Sequence, residues 1–307
     1  MSGVHVIAVR RAGMCDLVID LGRPGFGHLG VPRGGAADPC AMAAANRLVG
    51  NDVTTAGLEI IGTGPALHFP SGGVVALTGS RFAASRDNGV AVSWNEPLVL
   101  DAGETLDLAK ALEGYRCWLA LRGGLAVPQV MGSRSTFLPA GFGGQQGRAL
   151  RAGDSLTLGA ATGELRRLRA CPPFTRRTHL RVVSGPQTGR FDDAGLAAFF
   201  TEAYRVEQAS DRRGLRLSGT ALTHGRTDIR SQGVLPGAVQ VPPDGQPIIL
   251  GWDGPVTGGY PVIAGVITAD WPLLAQLKPG DEVRFATVEL EVAQALAATD
   301  WEIGEPA

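Results

Sequence analysis

The sequence predicts a mainly β protein, on three observations. Glycine supplies 44 of the 307 residues, well above the roughly 7% of average proteins, and these glycines stand between short apolar runs. A phrase of the form Gly-acid-x-apolar-polar-apolar recurs at Gly103–Leu108, Gly153–Leu158 and Gly280–Phe285, with Gly64–Phe69 as a looser fourth. Candidate helices are few. In each phrase the glycine takes a turn, and the alternation that follows leaves one strand face for a core. The copies are unevenly spaced, which excludes a solenoid and points to a hairpin device reused in barrel-like sheets.

Along the chain, further strands are expected at His5–Val9, Cys15–Asp20, Val74–Thr78, Ala91–Trp94, Cys117–Arg122, Leu180–Val183, Ile248–Trp252 and Val262–Thr268. The clearest helix has Asp38 as N-cap and Pro39 at its first position, and stops at Gly50. A second is expected over Asp192–Tyr204, a short one after Asp270 with Pro272 in its first turn, and a fourth over Ala293–Thr299. Residues 160–178 break the strand pattern with Pro, Arg and polar residues. The expected division is therefore an N-terminal β-rich domain over 1–165 and a C-terminal domain over 178–307.

Composition excludes several function classes. Hydrophobic residues at 44% and charged residues at 19% rule out wholesale disorder. A net charge of −1 leaves no field to gather nucleic acid or an anionic membrane. No apolar stretch approaches the ~20 residues of a membrane span. Arg10 and Arg11 interrupt the first apolar run, so no secretory leader is expected and the expected location is cytoplasmic. Of the 28 basic residues only Lys110 and Lys278 are lysines, and GxxxxGK[ST], GxSxG and HExxH are all absent. Cys15, Cys40, Cys117 and Cys171 lack zinc-finger spacing and read as reduced, buried thiols. His5, His28, His68, His179 and His224 are never paired at ligand spacing, so no metal site is expected. Gly25–Gly30 satisfies GxGxxG, but a dinucleotide fingerprint opens a helix at its third glycine. Here Pro32 intervenes and the helix waits until Pro39, which leaves a plain glycine loop.

The residues with chemical potential are arginines among glycines: Arg33, Arg134, Arg148 and Arg212, the last in the Ser210–Gly214 cluster. A planar guanidinium suits carboxylate or phosphate, with the bracing of turns as the ordinary alternative. Thr257-Gly258-Gly259-Tyr260 is a second loop too glycine-rich for a mere spacer.

These loops, read together, carry a resemblance over nearly the whole chain. GVPRGGAADPCAMAAANRLVGN, LEIIGTGPALHF, RGGLAVPQVMGSRST, GFGGQQGRALRAGD, SDRRGLRLSG and the run from SQGVLPGAVQV through TGGYPVIAGVITADWPLLAQLKPGDEVRF stand in order. They resemble the biotin-dependent carboxyltransferase family in its broad sense, which takes in 5-oxoprolinase C subunits, Kip antagonist proteins and allophanate hydrolase subunit 2-like proteins. The resemblance implies cyclophilin-like β-barrel architecture and a B-type partner subunit, usually in a B2C2 heterotetramer, with an A-type subunit beside it. It implies ATP-dependent opening of 5-oxoproline to L-glutamate, with ATP acting through the complex. An alternative is a carboxyltransferase acting on urea or a similar amide, with biotin on a separate carrier; a third is a regulator that binds a kinase-inhibitor-like partner.

Both reactions work on a resonance-stabilised amide, so both gain from preorganised donors at the amide oxygen. On that basis the resemblance points to Asp38, Asp211, Asp253 and Tyr260 as catalytic candidates, with a carboxylate handling the amide proton. Arg33, Arg134, Arg148, Arg212, Thr257, Gly258 and Gly259 are the substrate-binding candidates. The chain departs from the family pattern at four places, the first being Gly34-Gly35-Ala36-Ala37-Asp38, where Ser-Gly-Ala-Met-Asp is common. Arg213 stands where Met is common, Gln232 where Glu is common, and Gly254-Pro255-Val256 where Arg-Gln-Thr is common.

Overall fold

The computed structural model describes residues 5–87, 91–166, 179–223 and 229–300. Cys171, His224 and most of the expected seam at 160–178 lie outside them. Two compact units are built from the described residues, one from 5–23 and 34–166, the other from 24–33 and 179–300. The architecture is mainly β, with short helices attached.

The N-terminal unit is a pair of five-stranded antiparallel sheets. One runs Ser155–Thr157, Val6–Arg11, Ala66–Phe69, Glu104–Ala111, Phe82–Arg86; the other runs Cys15–Ile19, Gly57–Ile61, Arg116–Leu121, Gly73–Gly79, Pro97–Leu100. Their inner faces share one core, in which Ile7, Leu67, Phe69 and Leu106 meet Val18, Leu58, Leu77 and Leu119. The helix Pro39–Leu48 covers the outer face of the second sheet through Met42, Ala45 and Leu48, which pack with Leu17, Ile19 and Trp118. Gly57–Ile61 and Arg116–Leu121 are thus buried on both faces. That explains why Gly57–Ile61 escapes a search for alternation: a doubly covered strand reads as a continuous apolar run.

The C-terminal unit is a closed seven-stranded barrel. Its order is His179–Ser184, Val262–Val266, Ala238–Gln240, Ile248–Leu250, Gly214–Ser218, Tyr204–Val206 and Glu282–Thr287. The first and last of these strands pair in parallel and close it, with Leu180 opposite Phe285. The helix Asp193–Thr201 is capped by Asp192, which accepts from the Gly195 N–H at 2.6 Å. It lays Phe199 on Phe285 with centroids 4.3 Å apart. Gln232–Gly233 and Thr257–Gly258 form a separate two-stranded ribbon.

The recurring phrase is one turn built three times. Gly103, Gly153 and Gly280 have φ of 86°, 90° and 89°, the left-handed value required at the third position of such a turn. In each, the acid N–H donates to the carbonyl three residues earlier, at Asp101, Arg151 and Lys278. The acid side chain accepts the N–H of that same residue, from Asp101 at 2.9 Å, Arg151 at 2.8 Å and Lys278 at 3.1 Å. Gly64 lacks both the positive φ and an acid, and does not share the device.

Two expected elements differ. Ala91–Trp94 is not a strand: Val92 and Trp94 pack against the core, but Asn95 at φ 62° turns the chain, and pairing starts at Pro97. The second helix ends at Thr201, because Glu202 is extended and buried Tyr204 opens a strand opposite Val283. Of the cysteines, Cys117 is buried, whereas Cys15 and Cys40 are half-buried, and none of these three is in a disulfide. Among the described residues no helix is long and apolar enough to cross a membrane.

Candidate functional site

Seven of the candidate residues lie on neighbouring loops of the C-terminal unit. The Ser210–Gly214 cluster folds as a turn in which the Asp211 carboxylate accepts the N–H groups of Arg213 at 2.7 Å and Gly214 at 3.3 Å. A second turn, Gly251–Gly254, lies directly against it. The Gly251 N–H donates to Arg213 O at 2.9 Å and the Asp253 N–H to Arg212 O at 3.0 Å. The approach is so close that a Cβ on Gly251 would sit 2.2 Å from the Arg212 carbonyl oxygen.

That contact brings the Arg212 guanidinium onto the Asp253 carboxylate. Nε meets Oδ2 at 2.8 Å and Nη2 meets Oδ1 at 3.1 Å, with the side chains 5% and 1% exposed. A two-point, desolvated ion pair of this kind fixes both partners in orientation as well as in charge. Trp252, between them in sequence, is buried edge-on to Trp271 at 5.8 Å.

The Thr257–Tyr260 loop extends from this pair. Thr257 and Gly258 bond to Gly233 and Gln232, and the Gly259 carbonyl accepts the Ile229 N–H at 3.1 Å. Gly258 lets the loop lie close on Gln240: a Cβ there would lie 2.5 Å from Nε2 of that buried side chain, which would have to shift. That same Nε2 donates to the Tyr260 carbonyl at 3.4 Å. The Tyr260 ring and Thr257 are exposed. Residues missed in the sequence are the amides beneath this loop, Gln187 and Gln240. Gln240 carried a signal, as a polar residue inside the apolar run Ala238–Val241; Gln187 carried none.

Arg33 is exposed, in the segment 24–33 that groups with the C-terminal unit. Three candidates belong to the N-terminal unit. Asp38 caps the helix Pro39–Leu48, accepting the Ala41 N–H at 2.9 Å. Burial, with a smaller contribution from the nearby Glu59 charge, pushes its carboxyl up to about 6. Arg148 forms a two-point pair with Asp154 at 2.7 and 2.8 Å. Arg134 donates its backbone N–H to Asp20 at 2.5 Å and its Nε to the Val127 carbonyl at 2.9 Å. The Asp20 carboxylate also accepts the hydroxyls of Ser133 and Ser135, each at 2.6 Å, and the Gly22 N–H at 2.8 Å. Arg134 thus sits on a buried Asp20–serine network to which no motif in the sequence points.

The family profile described as carboxyltransferase domain, subdomain A and B, matches residues 29–287. The chain belongs to that family. Among its carboxyltransferase-domain relatives, the 5-oxoprolinase C subunit of Escherichia coli strain K12 is 40% identical over 291 residues, covering 94% of this chain and 93% of that protein. The Haemophilus influenzae protein of the same name is 35% identical over 279 residues, covering 90% and 89%. Urea amidolyase of Saccharomyces cerevisiae is 32% identical over 299 residues, spanning 90% of this chain but 16% of that protein. Of solved structures, K. lactis urea amidolyase superposes with a TM-score of 0.91 at 30% identity, over 97% of this chain and 19% of that one.

Proposed function

We propose that this carboxyltransferase-domain chain is the C subunit of an ATP-dependent 5-oxoprolinase complex, opening the lactam of 5-oxoproline to L-glutamate together with a B-type subunit. The observation that carries the reading is the end-to-end match to the Escherichia coli 5-oxoprolinase C subunit, at 40% identity over 93% of that protein. In the urea amidolyases the matching region is a small share of a much longer chain, so the urea reading stands second.

The geometry suits a division of labour. Arg212 and Asp253 hold one another at two points, so their part is to hold the two turns beneath the Thr257–Tyr260 loop. The exposed Thr257 hydroxyl and Tyr260 phenol then meet the amide, where positioned donors stabilise charge developing on its oxygen. Asp211 and Asp38 brace a turn and a helix start. Arg134 and Arg148 are engaged within the N-terminal unit, which leaves exposed Arg33 as the clamp for the substrate carboxylate.

Among the described residues, neither Lys278 nor the Gly25–Gly30 loop suits ATP. Lys278 is bound to Asp281 at 2.9 Å, and the Gly25–Gly30 loop leads into irregular chain rather than a helix N-terminus. Nucleotide handling is therefore assigned to the partner subunits, in a B2C2 or larger cytoplasmic assembly. The test is glutamate formation from 5-oxoproline and ATP by the chain co-expressed with B- and A-type subunits. Glutamate that disappears when this chain is omitted is the expected result. A well-folded complex that makes none overturns the reading, and avidin-sensitive carboxylation of urea then takes its place.

A further inference from the structure

Gln187 and Gln232 face one another as a closed amide pair. Gln187 Nε2 donates to Gln232 Oε1 at 3.1 Å, and Gln232 Nε2 donates to Gln187 Oε1 at 3.1 Å. Each carboxamide therefore offers the other one donor and one acceptor along a single planar edge. Both side chains are half-buried, within reach of solvent. The two partners are held very differently. Gln187 Oε1 also accepts the Val262 N–H at 2.9 Å, and the Gln187 N–H donates to the Val262 carbonyl at 3.2 Å. The next residue, Thr188, binds the Gly185 and Ile263 carbonyls at 2.8 and 2.7 Å. Gln187 is thereby anchored to the barrel, and the Val262 N–H dictates which side of its amide is oxygen. Gln232 rests on a two-residue strand, and its side-chain bonds among the described residues are those to Gln187.

A secondary amide in an open chain is trans and cannot present its N–H and C=O on the same edge. A lactam is locked cis and can; urea presents the same edge. We infer that Gln187 is a recognition residue for a cis-amide edge and that Gln232 is its built-in surrogate ligand. On binding, the substrate C=O accepts from Gln187 Nε2, the substrate N–H donates to Gln187 Oε1, and Gln232 swings aside. The site adjoins the Thr257–Gly258 strand, since Gln232 pairs with Gly258, and the inference rests on the reading that the substrate is an amide. A carboxylate at position 232 would set an acceptor against Gln187 Oε1, so the surrogate role requires the carboxamide.

The surrogate arrangement makes an unusual demand: removing Gln232 must strengthen binding. Two hydrogen bonds of ordinary net worth are lost from the internal pair, so Gln232→Ala is expected to bind 5-oxoproline about tenfold tighter than the native chain. Gln187→Glu keeps the acceptor for the Val262 N–H, so the barrel is retained, but it loses the donor; binding is expected to fall by about tenfold or more. The measurement is a titration of each full-length chain with 5-oxoproline, urea and proline, following the glutamine side-chain N–H resonances. Proline, which lacks the lactam carbonyl, should leave them unmoved. A purely structural pair would give Gln232→Ala equal or weaker binding; that result, or native binding by Gln187→Glu, or no binding by any chain, overturns the inference. If urea alone gives the expected order of affinities, the amide-edge assignment stands and the 5-oxoprolinase reading falls. If the complex makes glutamate while all three chains bind alike, the assignment falls alone.

Discussion

Asp20 in the N-terminal unit and Asp253 in the C-terminal unit are both buried carboxylates, 7% and 3% exposed, and they are stabilised by opposite means. Asp20 is surrounded by neutral dipoles, two serine hydroxyls and two backbone N–H groups, most of them from Ser133–Ser135. Asp253 is met by one full countercharge from a different turn. Dipoles from a single loop organise that loop. A countercharge ties two separate turns together and makes each depend on the other. A third carboxylate, Asp16, has too little of either solution to offset its burial. It accepts the Gly13 N–H at 2.6 Å through Oδ2, Oδ1 has no hydrogen-bond partner among the described residues, and burial pushes its pKa up to about 6.

The sharpest way to break this comparison is Arg212→Met, which strands Asp253 as an uncompensated buried charge. The expected loss is about 3–5 kcal/mol in denaturant unfolding, with most of it recovered in the double variant carrying Asp253→Leu. Failure of the double variant to recover would mean that the pair contributes more than charge neutralisation. Next in size is Asp20→Asn, whose amide hydrogens meet donors where the native oxygens accept. About 2 kcal/mol is expected to be lost, and no second substitution of a single partner should restore it, because the donors are shared among several residues.

Asp16→Asn has the opposite sign. A carboxyl held up at about 6 binds its proton more firmly folded than unfolded, so ionising it costs stability as pH rises from about 4 to about 6. The variant escapes that cost but leaves an amide N–H group without a partner. A net gain of about 1 kcal/mol is expected at pH 7, shrinking to nothing or reversing near pH 4. Thermal unfolding of both chains across that range reads the difference, and a gap that does not vary with pH would show Asp16 to be ionised throughout.

The legible part of the fold was its local chemistry. The Gly-acid turns announce themselves because each places all its partners within four residues, and the helix Pro39–Leu48 is signalled by its own Asp38 cap. What was not legible depended on distant chain. Gly57–Ile61 is a strand because two other layers cover it. Ala91–Trp94 looks like a strand until Asn95 turns it away. In the candidate site, Arg212 and Asp253 both stood out, but their pairing across 41 positions did not. Arg134 drew attention as a charge within MGSRST, while the serines on either side make the bonds that matter to Asp20. Gln187 was invisible because an isolated glutamine acquires meaning only from what faces it.

The closure of the barrel by its first and last strands also governs how the protein comes into being. His179–Ser184 leaves the ribosome about a hundred residues before its parallel neighbour Glu282–Thr287, so the C-terminal unit cannot be sealed during most of its own synthesis. Until then two strand edges stand open, the situation in which nascent chains pair with the wrong neighbour. A stop codon shortly before residue 282 would accordingly do more than shorten the protein: it would release a barrel with a permanent gap and two adhesive rims.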